Sequence, residues 1–299
     1  MSAAATASDA QPPVLDVSLT GLDTIDLAEL TERASLLTRI DRKYLLPRSE
    51  LDAVLADLDP GVRVLDINGV RSSAYESVYF DTPELTSFLM AAHPRRRRFK
   101  IRTRTYVDSA QSYLEVKTRG GRGVTVKDRL PYAPSDRARL TTEGRRYTDT
   151  VLDDAAITGA HGHDLMPTLT TGYLRTTLFI PESSSRATID TGLSWATVPH
   201  RTAADQLVAE RSVPERSVPE RSVSERSVPG RDAPQRRLDR PQLAIVETKS
   251  GSRASAVDRI LWAHGHRPAT ISKYGTGMAA LHRDLPGNKW APVLRRYFQ

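Results

Sequence analysis

Three features of the sequence predict an α+β fold organised on an antiparallel sheet. Charge alternates with apolar or small residues through successive strand-like runs, turn signals separate several of those runs, and amphipathic helical stretches flank them. In FKIRTRTY, Lys100, Arg102 and Arg104 alternate with Ile101, Thr103 and Thr105, so an extended chain puts the three cations on one face. YLEVKT repeats the pattern with Glu115 and Lys117, VTVKDR with Lys127 and Arg129, and PQLAIVETKS with Glu247 and Lys249. The intervening TRGGRG has the composition of a hairpin turn, which makes the strands on either side of it neighbours.

The remaining elements follow in chain order. Residues 23–37 hold Leu27, Leu30 and Ala34 at helical spacing, with Asp23 or Thr24 as N-cap. TRIDRKYLLP is a short strand ended by Pro47. Ser49 then caps a helix whose Leu51, Val54, Leu55 and Leu58 form one apolar stripe. Asn68-Gly69 is the strongest turn signal, and residues 84–92 form a short helical connection into the basic block at 95–104. The segment 141–157 is helical in part. TLTTGYLRTTLFI and SRATIDTGLSWATV are strands with Arg175 and Arg186 as their conspicuous cations, and Arg186, Thr188 and Asp190 share a face. A helix over 253–264 ends before Gly265, and ISKYGTGM opens another short helix at a Lys-Tyr pair.

The chain has 299 residues, 39% of them hydrophobic, enough for a buried core. Residues 1–20 read as a disordered lead-in with no secretory features, and 291–299 as a basic aromatic tail. Between them one domain is expected over 21–290, interrupted at 199–240 by a disordered insertion. The insertion carries RSVPE RSVPE RSVSE RSVPG, whose period of five suits an extended solvated linker. The absence of cysteine excludes disulfides and thiolate metal sites and fits a reducing, cytoplasmic setting. No run of about 18 apolar residues predicts a membrane span.

A net charge of +7 calls for a polyanionic partner. Nucleic acid is disfavoured, because aromatics make up only 6% of the chain and the cations alternate with small residues instead of stacking platforms. About eight strands with charge on one face fit either a sheet with a wet face or a barrel with charge inside and helices outside. Charges inside a barrel demand counter-ions, and a phosphate chain offers a row of oxygens for Arg forks and Lys ammonium groups. Glu115 and Glu247 would then suit a divalent metal bridging phosphate oxygens. The H-x-H pairs at His161/His163 and His264/His266 lie in a polar loop and past a helix, where metal binding is not expected.

Nine stretches, in order from about residue 38 to 283, resemble the VTC (vacuolar transporter chaperone) domain of the triphosphate tunnel metalloenzyme superfamily. They are DRKYLL, SVYFDTPEL, FKIRTRTY, YLEVKT, VTVKDRL, the Arg175 strand, RATID, IVETKS and ISKYGTGM. The resemblance implies a tunnel-shaped antiparallel barrel of about eight strands with helices packed outside. It also implies a metal-dependent polyphosphate polymerase that moves the γ-phosphate of ATP onto inorganic polyphosphate, with Mn²⁺ or Mg²⁺. The phosphate-binding cations would be Lys43, Arg102, Arg104, Lys117, Lys127, Arg175, Arg186 and Lys273, and the metal ligand Glu247. Glu115, as a second metal ligand, and Lys249, as a further phosphate contact, share the same strand faces. Catalysis would fall to Arg102, Arg104, Lys117 and Glu247. Hydrolysis of tripolyphosphate or nucleoside triphosphate, or polyphosphate binding without turnover, are the alternative readings.

Overall fold

The computed structural model describes residues 19–34, 40–119, 125–158, 160, 164–198 and 235–299. Most of the expected lead-in, the RSVPE repeats, the TRGGRG turn beyond Arg119 and His161 and His163 lie outside the described residues. In chain order the elements begin with β1 (Asp23–Ile25), α1 (Leu27–Arg33), β2 (Ile40–Pro47), α2 (Arg48–Ala56), β3 (Arg63–Leu65), β4 (Ser72–Asp81) and α3 (Thr86–Ala92). There follow β5 (Arg98–Tyr106), β6 (Gln111–Arg119), β7 (Thr125–Tyr132), α4 (Thr142–Asp154), β8 (Met166–Ile180) and β9 (Ser185–Thr197). The chain ends with β10 (Arg237–Arg240), β11 (Leu243–Ser250), α5 (Ala256–Ala263), α6 (Lys273–Leu281) and α7 (Ala291–Tyr297).

The fold is α+β, with a large sheet in the order β2-β11-β9-β8-β4-β5-β6-β7. Neighbours β2/β11, β11/β9, β4/β5, β5/β6 and β6/β7 are antiparallel. Among the described residues the sheet is not closed into a barrel: the path ends at β2 and β7. Lys127, Arg129 and Pro131 along β7 are the residue types that discourage further pairing at a sheet edge.

Several local expectations shift by a few residues. Residues 23–25 form a strand parallel to β3, not the start of a helix, and Asp26 is the N-cap of α1, accepting from the Glu29 amide at 2.8 Å. Ser49 does not cap α2, which starts at Arg48 behind Pro47; the Arg48 amide is satisfied by the Gln242 carbonyl at 2.7 Å. Asn68 and Gly69 both have positive φ, 53° and 84°, as the Asn-Gly turn requires, yet it joins only the single bridge between Ile67 and Val70. The expected insertion at 199–240 ends in ordered structure, since β10 pairs with β9.

The described chain divides into two compact units. The first contains the described residues up to Ala74, Tyr173–Leu193 and Arg240–Thr270. Its core takes one face of the strands, with Tyr44 and Leu46 from β2, Ala244 and Val246 from β11, and Ala187 and Ile189 from β9. Leu51, Val54 and Leu55 of α2 and Val257 and Leu261 of α5 cover that face. Each such side chain stabilises the unit by about 1.5–3 kcal/mol through burial. A buried polar knot fixes α5: Asp258 accepts from the Tyr44 hydroxyl at 2.7 Å and the Thr248 hydroxyl at 2.6 Å, and it closes a capping box with Ser255.

The second unit holds Tyr75–Gly172, the described part of Ser194–Asp239, and Ile271–Gln299. Val78 and Phe80 of β4, Phe99 and Ile101 of β5 and Leu114 and Val116 of β6 pack against Leu152 of α4 and Ile157. The buried carboxylate of Asp81 accepts from the amides of Thr82, Ser87 and Phe88 and from the hydroxyl of Tyr274. Gly275 and Gly277 lie flush against Trp290 and Trp195, where a Cβ would stand 2.2 and 2.3 Å from ring atoms, so the G-T-G motif is a packing device and not a phosphate loop. The expected tail is packed too, with Val293 and Phe298 buried.

Candidate functional site

Period-two alternation does in the structure what it promises in the sequence. In β5 the apolar and Thr positions are buried and Lys100, Arg102 and Arg104 emerge on the opposite face. Cross-strand register extends that face within the second unit: Arg102 stands opposite Tyr79 and Glu115, Arg104 opposite Ser77 and Tyr113, and Lys100 opposite Lys117. Lys117 in turn pairs with Lys127, and Glu115 with Arg129. Among the described residues this face of β5 to β7 therefore carries eight cations, Arg98, Lys100, Arg102, Arg104, Lys117, Arg119, Lys127 and Arg129, against one carboxylate, Glu115.

Glu115 is the electrostatic centre of the face. Its Oε2 accepts from Arg102 Nε at 2.8 Å and Nη2 at 2.6 Å, and its Oε1 from Lys127 Nζ at 2.6 Å, with Arg104 Nη1 at 3.9 Å. Burial pushes the carboxyl up, but Arg102, Arg104 and Lys127 together outweigh it and hold Glu115 well below the usual carboxylate range. For Lys127 the balance differs: burial, with Arg104 and Arg102 beside it, outweighs the opposing pull of Glu115 and lowers its pKa. Both Glu115 oxygens accept from cations, so the carboxylate organises guanidinium and ammonium groups on this face.

Tyr79, which the sequence does not single out, lies on the same face. Arg102 Nη1 donates to its hydroxyl at 3.2 Å, and the Arg102 and Lys100 cations stand 5.8 and 5.9 Å from its ring centroid. Its ring stacks on Tyr274 at 5.1 Å. The only sequence signal for Tyr79 is its spacing of two from Ser77 in a strand that pairs with the cationic one. Lys273 follows Ser272, the N-cap of α6, and Lys100 Nζ donates to the Ser272 hydroxyl at 3.0 Å, so Lys273 belongs to the neighbourhood of this face.

The first unit carries a second charged face. Glu247 stands opposite Lys43 on β2 and Thr188 on β9, and Lys249 opposite Asp41 and Arg186. Lys249 Nζ donates to Glu247 and lies 3.4 Å from Asp41. Arg175 makes a two-pronged bond to Asp190 at 2.6 and 2.8 Å. Burial opposes ionisation of Glu247, and Lys43, Lys249 and Arg175 override it, holding its carboxyl well below the usual range. Burial likewise opposes the charge on Arg175, while Asp190, Tyr173 and Glu247 hold its pKa well above the ordinary value. Lys43, Arg175, Arg186, Glu247 and Lys249 are thus brought together in one unit, and Arg102, Arg104, Lys117, Lys127, Glu115 and Lys273 in the other.

A divalent ion finds hard oxygen donors at Glu247. Thr188 Oγ1, on the residue paired with Glu247, is buried without a hydrogen-bond partner. A carboxylate and a hydroxyl suit Mg²⁺ or Mn²⁺ when phosphate oxygens and water complete the shell. Among the described residues no group of three or more His, Cys, Asp or Glu is gathered to hold a metal by protein ligands alone.

With this geometry in place, the comparisons with known proteins define the class. The VTC domain family matches residues 38–282. The chain belongs to the VTC domain family, and the nine motifs read from the sequence fall within that span. No curated protein matches. Among solved structures, the Hippeastrum protein HpAC1, described as a putative adenylyl cyclase with a dominant triphosphatase activity, is similar at 13% identity and a TM-score of 0.43, covering 81% of this chain and 96% of its own. A conserved hypothetical protein of Pyrococcus furiosus is similar at 10% identity and a TM-score of 0.36, covering 79% of this chain and 99% of its own. A protein of Pyrococcus horikoshii OT3 gives 11%, 0.32, and 76% and 87%. Likeness at this level carries no further weight. No helix among the described residues is long and apolar enough to cross a membrane.

Proposed function

We propose that the chain is a polyphosphate polymerase-like phosphotransferase that moves the γ-phosphate of ATP onto a growing polyphosphate chain. A tunnel-shaped arrangement of its strands and dependence on Mn²⁺ or Mg²⁺ are part of the same reading. The observation that supports it best, beyond family membership, is the face of eight cations among the described residues, organised by the one carboxylate Glu115. Such a face suits anions, and a phosphate chain supplies a row of oxygens for its Arg forks and Lys ammonium groups. Arg102 and Arg104 would meet the charge on the transferring phosphoryl group, with Lys117 and Lys127 beside them. Lys43, Arg175, Arg186, Lys249 and Lys273 would hold further phosphates. Glu247, with Thr188 beside it, would hold the metal, which when bound would neutralise phosphate charge.

The acids favour transfer to a phosphate over hydrolysis. Water needs a base, and Glu115 and Glu247 are both held too acidic to take a proton near neutral pH, while Asp190 is bound by the Arg175 fork. The terminal phosphate of a chain is already anionic and needs no base. Incubation of the purified protein with γ-labelled ATP and Mn²⁺, followed by separation of products, tests the proposal. Label in a lengthening ladder with matching ADP supports it; label only in orthophosphate makes the protein a triphosphatase; no release, even with a polyphosphate primer, leaves a binding module.

A further inference from the structure

The strongest concentration of positive charge outside the residues assigned above lies at the end of β5 and β6. Arg98 stands directly opposite Arg119, and on the next rung of the same face Lys100 stands opposite Lys117. Like charges directly opposite each other on two successive rungs gather positive charge at this end of the sheet. The fold brings a further cation from distant sequence. Lys289 sits in the 3-10 turn Asn288–Trp290, where Asn288 Nδ2 donates to the Ala92 carbonyl at 3.1 Å and so ties the turn to the end of α3, just before the basic block. Lys289 Nζ lies 5.1 Å from the centroid of the Trp290 ring, which is buried and holds the stem in place.

The three charges interact. Burial, then Arg119, lowers the pKa of Arg98, and burial, then Arg98 and Arg119, lowers that of Lys289. All three side chains are half-buried. Arg98 is further oriented by donating to the Arg95 carbonyl at 2.8 Å. Arg95, Arg96 and Arg97 beside it are exposed and add to the local potential.

We propose that Arg98, Arg119 and Lys289 form a chain-holding subsite for inorganic polyphosphate, continuous through Lys100 and Lys117 with the Arg102–Arg104 face. The proposal rests on the phosphate-chain reading of that face. It separates long substrates from short ones: tripolyphosphate fills the face around Arg102 and Arg104, and only a longer chain reaches Arg98. The subsite would act as a grip on the acceptor, raising its residence time and the number of additions per encounter.

The test compares the full-length wild-type protein with Lys289→Gln and with the double variant Arg119→Gln/Lys289→Gln. Binding of tripolyphosphate and of a polyphosphate of about 100 units is measured side by side by calorimetry at fixed salt. The expected result is at least a tenfold loss of long-chain affinity in the double variant, a smaller loss in Lys289→Gln, and tripolyphosphate affinity within twofold of wild type. Lys289→Arg, which keeps the charge, should restore long-chain binding and so excludes loss of folding as the cause. Unchanged long-chain affinity overturns the subsite, as does an equal loss for both ligands. Preference of the wild-type protein for single-stranded DNA over polyphosphate at equal charge also overturns it. If the wild-type protein binds neither phosphate ligand, the functional reading fails as well, whereas tripolyphosphate binding with no effect of the variants removes the subsite alone.

Discussion

On the face formed by β2, β11, β9 and β8, Lys43, Arg175, Arg186 and Lys249 stand among Asp41, Asp190 and Glu247, so charge is close to balanced. On the face of β5, β6 and β7, Glu115 alone stands among eight cations of the described residues. Both arise from the same strand alternation, and both hold a glutamate far below its ordinary pKa. They differ in what is left over. The balanced face keeps a carboxylate and an orphan hydroxyl as hard donors, whereas the cationic face carries a large excess of positive charge. Under the proposed function the comparison assigns phosphate holding to one face and metal holding to the other, so each should be breakable without the other.

The largest effect is expected from Arg102→Ala, which removes the guanidinium that joins Glu115 to Tyr79. Turnover should fall by roughly 10²-fold or more, because a group that meets transition-state charge is lost. Steady-state assay with ATP and Mn²⁺ checks this; wild-type turnover would remove Arg102 from the chemistry. Glu115→Gln sharpens the comparison from the other side. Without its carboxylate the cationic cluster repels itself, and breaking such a buried pair costs about 3–5 kcal/mol of stability. Thermal unfolding should show a large drop in the variant that saturating tripolyphosphate partly restores, since the ligand supplies the missing negative charge.

Acid should act on both faces. The folded-state pKa values of Glu115 and Glu247 lie below the ordinary 4.5 of a glutamate, so their stabilisation is complete above that pH and is lost as pH falls further toward the folded values. Midpoints of unfolding should be flat with respect to these groups near neutrality and decline below pH 4.5, with a shallower decline in Glu115→Gln. The smallest effect on phosphate affinity is expected from Glu247→Ala. It should abolish stimulation by Mn²⁺ while leaving metal-free tripolyphosphate affinity within about threefold of wild type. Retained metal stimulation would place the ion elsewhere.

Much of this was readable from side-chain period alone. Lys100, Arg102 and Arg104 share a face because a strand leaves them no other choice, and the buried Ile101, Thr103 and Thr105 complete the pattern. The neighbours were less legible, because register is a tertiary property: nothing local says that Tyr79 meets Arg102 or that Thr188 meets Glu247. The start of α1 was misplaced since residues 23–25 gain more from pairing with β3 than from a further helical turn. Glu115 was read as a metal donor from its strand position, and only the distances to Arg102 and Lys127 reveal that its lone pairs are engaged. Lys289 was invisible as a partner of Arg98, separated from it by most of the chain.

The central claim is that the cationic face is built for a phosphate chain. Calorimetric titration of tripolyphosphate into the metal-free wild-type protein and into Arg102→Ala tests it most directly. The account predicts saturable binding by the wild type that weakens with rising salt and collapses in the variant. Absence of binding by the wild type, or equal binding by both, would contradict it.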